Sequence, residues 1–151
     1  MGNIFNRDFQ DFIQALNQAS VKYVLVGGYA VILHGYNRTT GDLDIWVERT
    51  KSNYQKLSIA FSTFGMPLFD MSLFNFLENK EMDVFTFGRP PVSIDIMISV
   101  KGLYFDEIYD RAENIIIEGL EVKLISRSDL IKAKKESGRH KDLDDLDQLE
   151  Q

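Results

Sequence analysis

Three acidic residues and a pair of glycines stand out by type and spacing. Asp42 and Asp44 flank one apolar residue in Gly41-Asp42-Leu43-Asp44-Ile45. On a β-strand, residues i and i+2 point to the same side, so both carboxylates project together while Leu43 and Ile45 turn towards a core. Two like charges this close repel unless a cation lies between them, and oxygen-only ligation suits Mg2+ or Mn2+. The plainer reading of an isolated acid–apolar–acid run is a pair of solvated acids where a strand begins. Asp95 interrupts the apolar run Ser93-Ile94-Asp95-Ile96-Met97-Ile98, with the isoleucines on one side and Ser93, Asp95 and Met97 on the other. An acid there is costly to bury unless paired or metal-bound, and an exposed edge position fits it equally well. Beside the Asp42–Asp44 strand it becomes the third ligand of a two-metal site. Gly27-Gly28 lies between a strand-like run and a helical one. Glycines there let backbone N–H groups approach a phosphate closely, although ordinary turns use the same pair.

These residues need elements to carry them. Phe9, Phe12, Ile13, Leu16 and Ala19 recur at helical spacing. Tyr23 to Val26 reads as a buried strand, Tyr29 to His34 as a short helix stopped by Gly35, and Leu43 to Val47 as a second strand. Tyr54, Leu57, Phe61 and Phe64 mark a helix closed by Gly65 and Pro67, and Met71 to Leu77 one or two further helical turns. Val84 to Phe87 and Val92 to Ser99 predict a hairpin through Gly88-Arg89-Pro90-Pro91. Phe105 to Arg111 predicts a short helix, and Asn114 to Ile117 with Leu120 to Ile125 a second hairpin across Glu118-Gly119. Ser126 with Asp129 three residues on resembles a capping box for a helix through Lys135. After Gly138, Leu143, Leu146 and Leu149 predict a last helix with an acidic, solvated outer face. The class is α+β: a mixed β-sheet flanked by helices, expected as a single domain over 1–151 whose C-terminal helical segment covers about 126–151.

The chain has 151 residues, a net charge of −6 and no cysteine. A disulfide scaffold, a thiolate metal site and a cysteine nucleophile are excluded. No apolar run reaches ~18 residues, and the start lacks a signal peptide's basic and apolar regions; the expectation is a cytoplasmic chain with no membrane association. The acidic balance argues against gripping a long phosphate backbone. Five basic residues between Lys132 and Lys141, against Glu136 alone, suit a small anionic ligand better. With His34 and His140 the only histidines, no Ser/His/Asp nucleophile set is evident. His34 reads as a packing or hydrogen-bonding residue. Trp46 and Tyr36 are candidates for stacking on a base, sheet packing being the plainer role of Trp46. Asp83 is a weaker alternative to Asp95.

In order, a helix, a strand, Gly-Gly, a helix, an acid–apolar–acid strand and a later acid on another strand resemble the nucleotidyltransferase superfamily with a DNA polymerase β-like core. Within that group, GGYAVILHGYNRTTGDLDIWV is similar to a bacterial branch that includes lincosamide-type and abortive-infection toxin nucleotidyltransferases. LIKAKKESGRHKDLDDLDQL resembles the branch's second motif, with Lys134, Arg139, Lys141, Asp142 and Asp145 in its positions. The likeness runs from about Val21 to Leu149.

The resemblance implies a metal-dependent transfer of NMP from a nucleoside triphosphate to a hydroxyl. Asp42, Asp44 and Asp95 would be the catalytic and metal-binding residues for two Mg2+ or Mn2+ ions, with Asp95 serving the attacking hydroxyl. Gly27, Gly28, Arg38, Thr40, Lys134 and Lys141 would bind the nucleotide. Many members carry Gly-Ser at the turn; Tyr29 follows Gly27-Gly28 here, so the hydroxyl's phosphate contact is absent or replaced. The acceptor is left open among a small molecule, an RNA end and a protein. The chain's length leaves little room for a separate acceptor domain, which points to the C-terminal helices, a homodimer mate or a partner protein. The competing reading is a non-catalytic member that binds a nucleotide or a partner, as in a toxin–antitoxin-like pair.

Overall fold

The computed structural model describes residues 4–89 and 92–150, Lys141 by its backbone alone. Helix α1 (Arg7–Gln18) starts where Asn6 accepts the Phe9 N–H at 2.8 Å and turns Phe9, Phe12, Ile13 and Leu16 inward. Strand β1 (Tyr23–Val26) is buried throughout and runs into α2 (Gly27–Leu33), which begins at the glycine pair itself rather than at Tyr29. Strand β2 (Asp42–Val47) precedes α3 (Lys51–Phe64), capped by Thr50 and closed by Gly65 in the left-handed region. A short α4 (Leu73–Leu77) follows. Strands β3 (Val84–Arg89) and β4 (Val92–Met97) form the expected hairpin. Pro90 and Pro91 of its connection lie outside the described residues. Helix α5 (Phe105–Arg111) leads to the hairpin of β5 (Glu113–Ile117) and β6 (Leu120–Leu124), and α6 (Arg127–Ser137) and α7 (His140–Leu149) end the chain.

The architecture is α+β, a six-stranded mixed sheet in the order β3-β4-β2-β1-β6-β5 with helices on both faces. The pairs β2–β4 and β1–β6 are parallel and the rest antiparallel. Because side chains alternate, one face collects Leu43, Ile45, Ile94, Ile96 and Phe87. That face lies under α1 and α3: the Phe61 ring meets Phe87 at 4.8 Å and Phe12 at 5.5 Å between centroids. Phe12, Leu43, Ile45 and Ile96 have no exposed surface, and burying each such side chain is worth about 1.5–3 kcal/mol. The opposite face carries the acids.

Two expectations about the C-terminal segment are corrected. Ser126 accepts the Asp129 N–H at 3.2 Å, but the Asp129 carboxylate turns to Arg111 at 2.9 and 3.0 Å, so only half of the capping box forms. The acids of α7 are not all solvated: Asp142 and Asp145 are buried with Leu146 and Leu149, while Leu143 is half-exposed. Residues 142, 145, 146 and 149 form one helical stripe, and its two carboxylates face the cations of Lys134, Arg38 and Arg139 instead of water. A hydrophobic count along the helix places the stripe one position too far round for that reason.

Asn53 joins α3 to the sheet. Buried at its N-terminal turn, it accepts the Lys22 N–H at 2.8 Å and donates to the carbonyls of Lys22 and Glu48 at 3.1 and 2.9 Å. Asn53→Ala strands one N–H and two carbonyls, so urea unfolding should show a loss of about 2–3 kcal/mol.

Candidate functional site

The register between β2 and β4 builds the site. Asp42 pairs with Ser93, Asp44 with Asp95 and Trp46 with Met97, so all six side chains share a face. Thr86 of β3 sits beside Asp95. The three acids are half-buried, and the hydroxyls next to them serve as donors: Ser93 to Asp42 at 2.7 Å and Thr86 to Asp95 at 2.8 Å. These bonds draw the carboxylates sideways along the sheet. Among the described residues, no three His, Asp or Glu side chains stand close enough to hold one metal ion unaided. The chemistry of the donor set still fits a hard divalent cation: adjacent carboxylates with hydroxyls, and no imidazole or thiolate.

The glycine pair is packed against this face. Gly27 has φ +72°, and a Cβ there would lie 2.8 Å from Cγ and 2.9 Å from Cβ of Asp44. A Cβ on Gly28 would lie 2.8 Å from the Thr40 hydroxyl oxygen and 3.3 Å from the Arg38 guanidinium carbon. Only glycine gives the backbone this approach. The site therefore gathers Gly27, Gly28, Arg38, Thr40, Asp42, Asp44 and Asp95 from three separate segments of the chain, 27–28, 38–44 and the strand that carries Asp95. Burial, then the charge of Asp42, pushes the Tyr29 phenol above its ordinary pKa.

Helices α6 and α7 form the other wall of a cavity of about 250 Å3 that is lined by all three acids and Gly27. Lys134 lines it too, but its buried ammonium donates to Asp142 at 3.0 Å and reaches Asp145 at 3.1 Å. Arg38 is engaged with Asp145 at 2.6 Å, which ties the loop before β2 to α7. Arg139 donates to Asp142 at 2.7 Å, and Ser137 donates to the same carboxylate. Burial alone would raise the Asp142 pKa, but hydrogen bonds from Arg139, Ser137 and Lys134 outweigh it and hold the carboxyl well below the usual carboxylate range. The hydrogen bond to Asp142 first, and then the charges of Asp142 and Asp44, stabilise the Arg139 cation. The side chain of Lys141 lies outside the described residues.

Several residues of the site were not singled out from the sequence. Ser137 lines the cavity, Ser93 and Thr86 hold carboxylates, and Arg139, placed in the second motif but given no role there, lines the cavity as well. Ser93 and Met97 were legible as lying on the Asp95 side of their strand, but pairing with β2 and β3 had to be known before they joined Asp42, Trp46 and Thr86. Trp46 is buried on this face against Phe105, edge to face at 5.4 Å, and its indole N–H has no partner among the described residues. Tyr36 packs against the core. His34 is a hydrogen-bonding residue as expected, its ring joined to the Ile125 carbonyl at 2.8 Å. Asp83 accepts from Ser99 at 2.9 Å beyond the end of β3, away from the cavity lining.

Solved structures share this fold. A protein described as a candidate nucleotidyltransferase from Thermotoga maritima matches with a TM-score of 0.59 at 14% identity, over 94% of this chain and 89% of its own. An antigenic nucleotidyltransferase-like protein from Paracoccidioides brasiliensis matches with a TM-score of 0.55 at 15% identity, over 93% of this chain and 72% of its own. Among curated proteins, none matches. The fold is that of a nucleotidyltransferase. Residues 7–150 match the family described as nucleotidyltransferase of unknown function (DUF6036), and the chain belongs to that family.

Two substitutions test this construction. Gly27→Ala forces a Cβ into Asp44 at a positive φ, so thermal unfolding should show a loss of about 2 kcal/mol or more. Asp142→Asn leaves Lys134 and Arg139 short of a charge and should cost about 3 kcal/mol at neutral pH. The folded pKa of Asp142 is depressed, so its contribution is complete above the unfolded value and fades as pH falls below about 4. Between pH 5 and 3 the wild type should therefore lose stability more steeply than Asp142→Asn; equal slopes would contradict the assignment.

Proposed function

We propose that the chain is a metal-dependent nucleotidyltransferase that moves NMP from a nucleoside triphosphate to a hydroxyl. The observation that carries this reading is the alignment of Asp42, Asp44 and Asp95 on adjacent parallel strands, with Gly27 packed against Asp44. Asp42, Asp44 and Asp95 would hold two Mg2+ or Mn2+ ions, which when bound neutralise the charge that builds up on the phosphates. The backbone at Gly27 and Gly28 would cradle the phosphates, with Thr40 beside it. Phosphoryl chemistry of this kind needs positioning and charge more than covalent help from the protein. The hydroxyl oxygen forms a bond to the α-phosphorus. The bond to the bridging oxygen breaks, pyrophosphate leaves with that electron pair, and the proton passes to the Asp95 carboxylate and on to water.

The basic residues divide by partner. Lys134 and Arg38, each paired with α7 carboxylates, would act by fixing the cavity wall and the loop beside Gly28. Arg139, the more exposed cation, lies within electrostatic reach of Asp44 and would meet phosphate, with Lys141 as a second contact. The motif likeness to lincosamide-type and abortive-infection enzymes supports a hydroxyl acceptor. A cytoplasmic setting, where nucleotide and Mg2+ are abundant, suits this chemistry, and a homodimer mate or partner protein would extend a cavity of this size.

One observation favours a second reading, a non-catalytic member that binds a nucleotide or a partner: the described carboxylates do not close into a three-ligand set. Thermal unfolding with ATP, GTP, CTP and UTP, each with Mg2+, Mn2+ or EDTA, separates the two. A ligand at ~100 times its Kd adds about 2.7 kcal/mol, so an active site should give a shift that EDTA abolishes. Asp42→Asn and Asp44→Asn should abolish both that shift and pyrophosphate release, while the metal-free melting temperature stays level or rises as like charges are removed. Transfer that persists in both variants would falsify the metal site.

A further inference from the structure

The acid-bearing face of the sheet changes character along its strands. Asp42, Asp44 and Trp46 succeed one another on one side of β2, with Ser93, Asp95 and Met97 beside them on β4. Val84 of β3 extends the Trp46–Met97 row. Each step between rows is two strand residues, about 7 Å. The opposite wall changes too: α6 brings Leu130 and Ala133 to the cavity before it brings Lys134 and Ser137. Leu103, from the segment between β4 and α5, joins the apolar members. One cavity of about 250 Å3 thus has an acidic part and an apolar part, and the side chains that make the apolar part carry no charge.

We propose that the apolar part is the acceptor subsite, and that the acceptor is a small uncharged molecule bearing its hydroxyl on an aryl or alkyl body. This rests on the nucleotidyltransferase reading. Gly28 abuts Thr40 and Arg38, which precede Asp42, so the seat for the departing phosphates lies on the upstream side of the acids. In phosphoryl transfer the entering and leaving oxygens lie roughly in line, on opposite sides of the phosphorus. The side opposite Gly28 is the row of Trp46, Met97 and Val84. A hydroxyl entering from there forms its bond to the α-phosphorus as the bond to pyrophosphate breaks, and its proton meets Asp95, the carboxylate on the strand that also carries Met97. Size and charge select the class of compound. The whole cavity, about 250 Å3, exceeds the ~150 Å3 that accommodates benzene, so its size admits a single ring, and the apolar lining offers a carboxylate or ammonium no charged partner to replace its hydration.

Trp46 is the only tryptophan in the chain and is 1% exposed, so its emission reports on this row. The experiment titrates the full chain with 4-methylphenol, 4-hydroxybenzoate and adenosine, without metal or nucleotide, and follows that emission. A saturable change with 4-methylphenol is expected, with 4-hydroxybenzoate about tenfold weaker. Ala133→Phe fills the subsite and should weaken 4-methylphenol about tenfold while leaving the melting-temperature rise by Mg2+-tripolyphosphate unchanged. Val84 is 44% exposed on an edge strand, so Val84→Lys keeps the fold and should shift the preference towards 4-hydroxybenzoate. Saturation by adenosine instead, abolished by Ala133→Phe, would give the subsite to the donor's base and overturn the proposal. No response to any of the three would overturn it as well. If 4-methylphenol binds but tripolyphosphate has no Mg2+-dependent effect on the wild type, the nucleotidyltransferase reading fails and takes the acceptor assignment with it.

Discussion

The parallel pairing of β2 with β4 is the constraint on which the rest of the molecule turns. It sets Asp44 beside Asp95 near the middle of the sheet, with Asp42 one step away. Three carboxylates on one face are unfavourable for a fold without a cation, so the sheet is held chiefly from its other side. Leu43, Ile45, Ile94 and Ile96 supply that grip against α1 and α3, and the same alternation that buries them turns the acids outward. A slip of one residue in either strand would exchange the two faces and put carboxylates among the phenylalanines. Core burial and site geometry are thus fixed by one register.

The C-terminal helices answer the charge of that face in an indirect way. Lys134 and Arg38 stand near the acids by position, but their cations are engaged by Asp142 and Asp145 from α7. A buried network of this kind adds little net stability over an apolar replacement, and loss of one member is costly. Its consequence here is geometric. Arg38 fixes the loop that flanks Gly28, Lys134 fixes the turn from α6 to α7, and Arg139 is left where Asp44 feels its charge. The cavity wall is therefore tied by ion pairs to the loop before β2 and to the turn between α6 and α7.

Most elements were legible in the sequence because each has a local cause. Helical spacing of Phe9 to Leu16 marks α1, the spacing of Tyr54 to Phe64 with the stop at Gly65 marks α3, and Glu118-Gly119 turns the second hairpin with both residues at positive φ. The acids and the glycine pair were legible for the same reason, since Asp42 and Asp44 share a face of any strand and Gly27-Gly28 sits where strand meets helix. Less legible were the features that depend on a distant partner. Asp129 fits a cap until Arg111 is found beside it, and Asp142 and Asp145 fit a solvated face until Lys134 and Arg38 are placed against them.

By itself the sequence determined the class of fold, the order of its elements, that Asp42 and Asp44 share a face of their strand, and that the glycine pair sits between strand and helix, because propensity, capping and alternation act over a few residues. Only the tertiary structure decided that Asp95 is the neighbour of Asp44, that Trp46 and Met97 floor the adjoining apolar part of the cavity, and that α7 turns two acids inward. Strand order, register and the burial of a charge are set by contacts between residues far apart in the chain, and the free energy of those contacts exists only once the chain has closed around them.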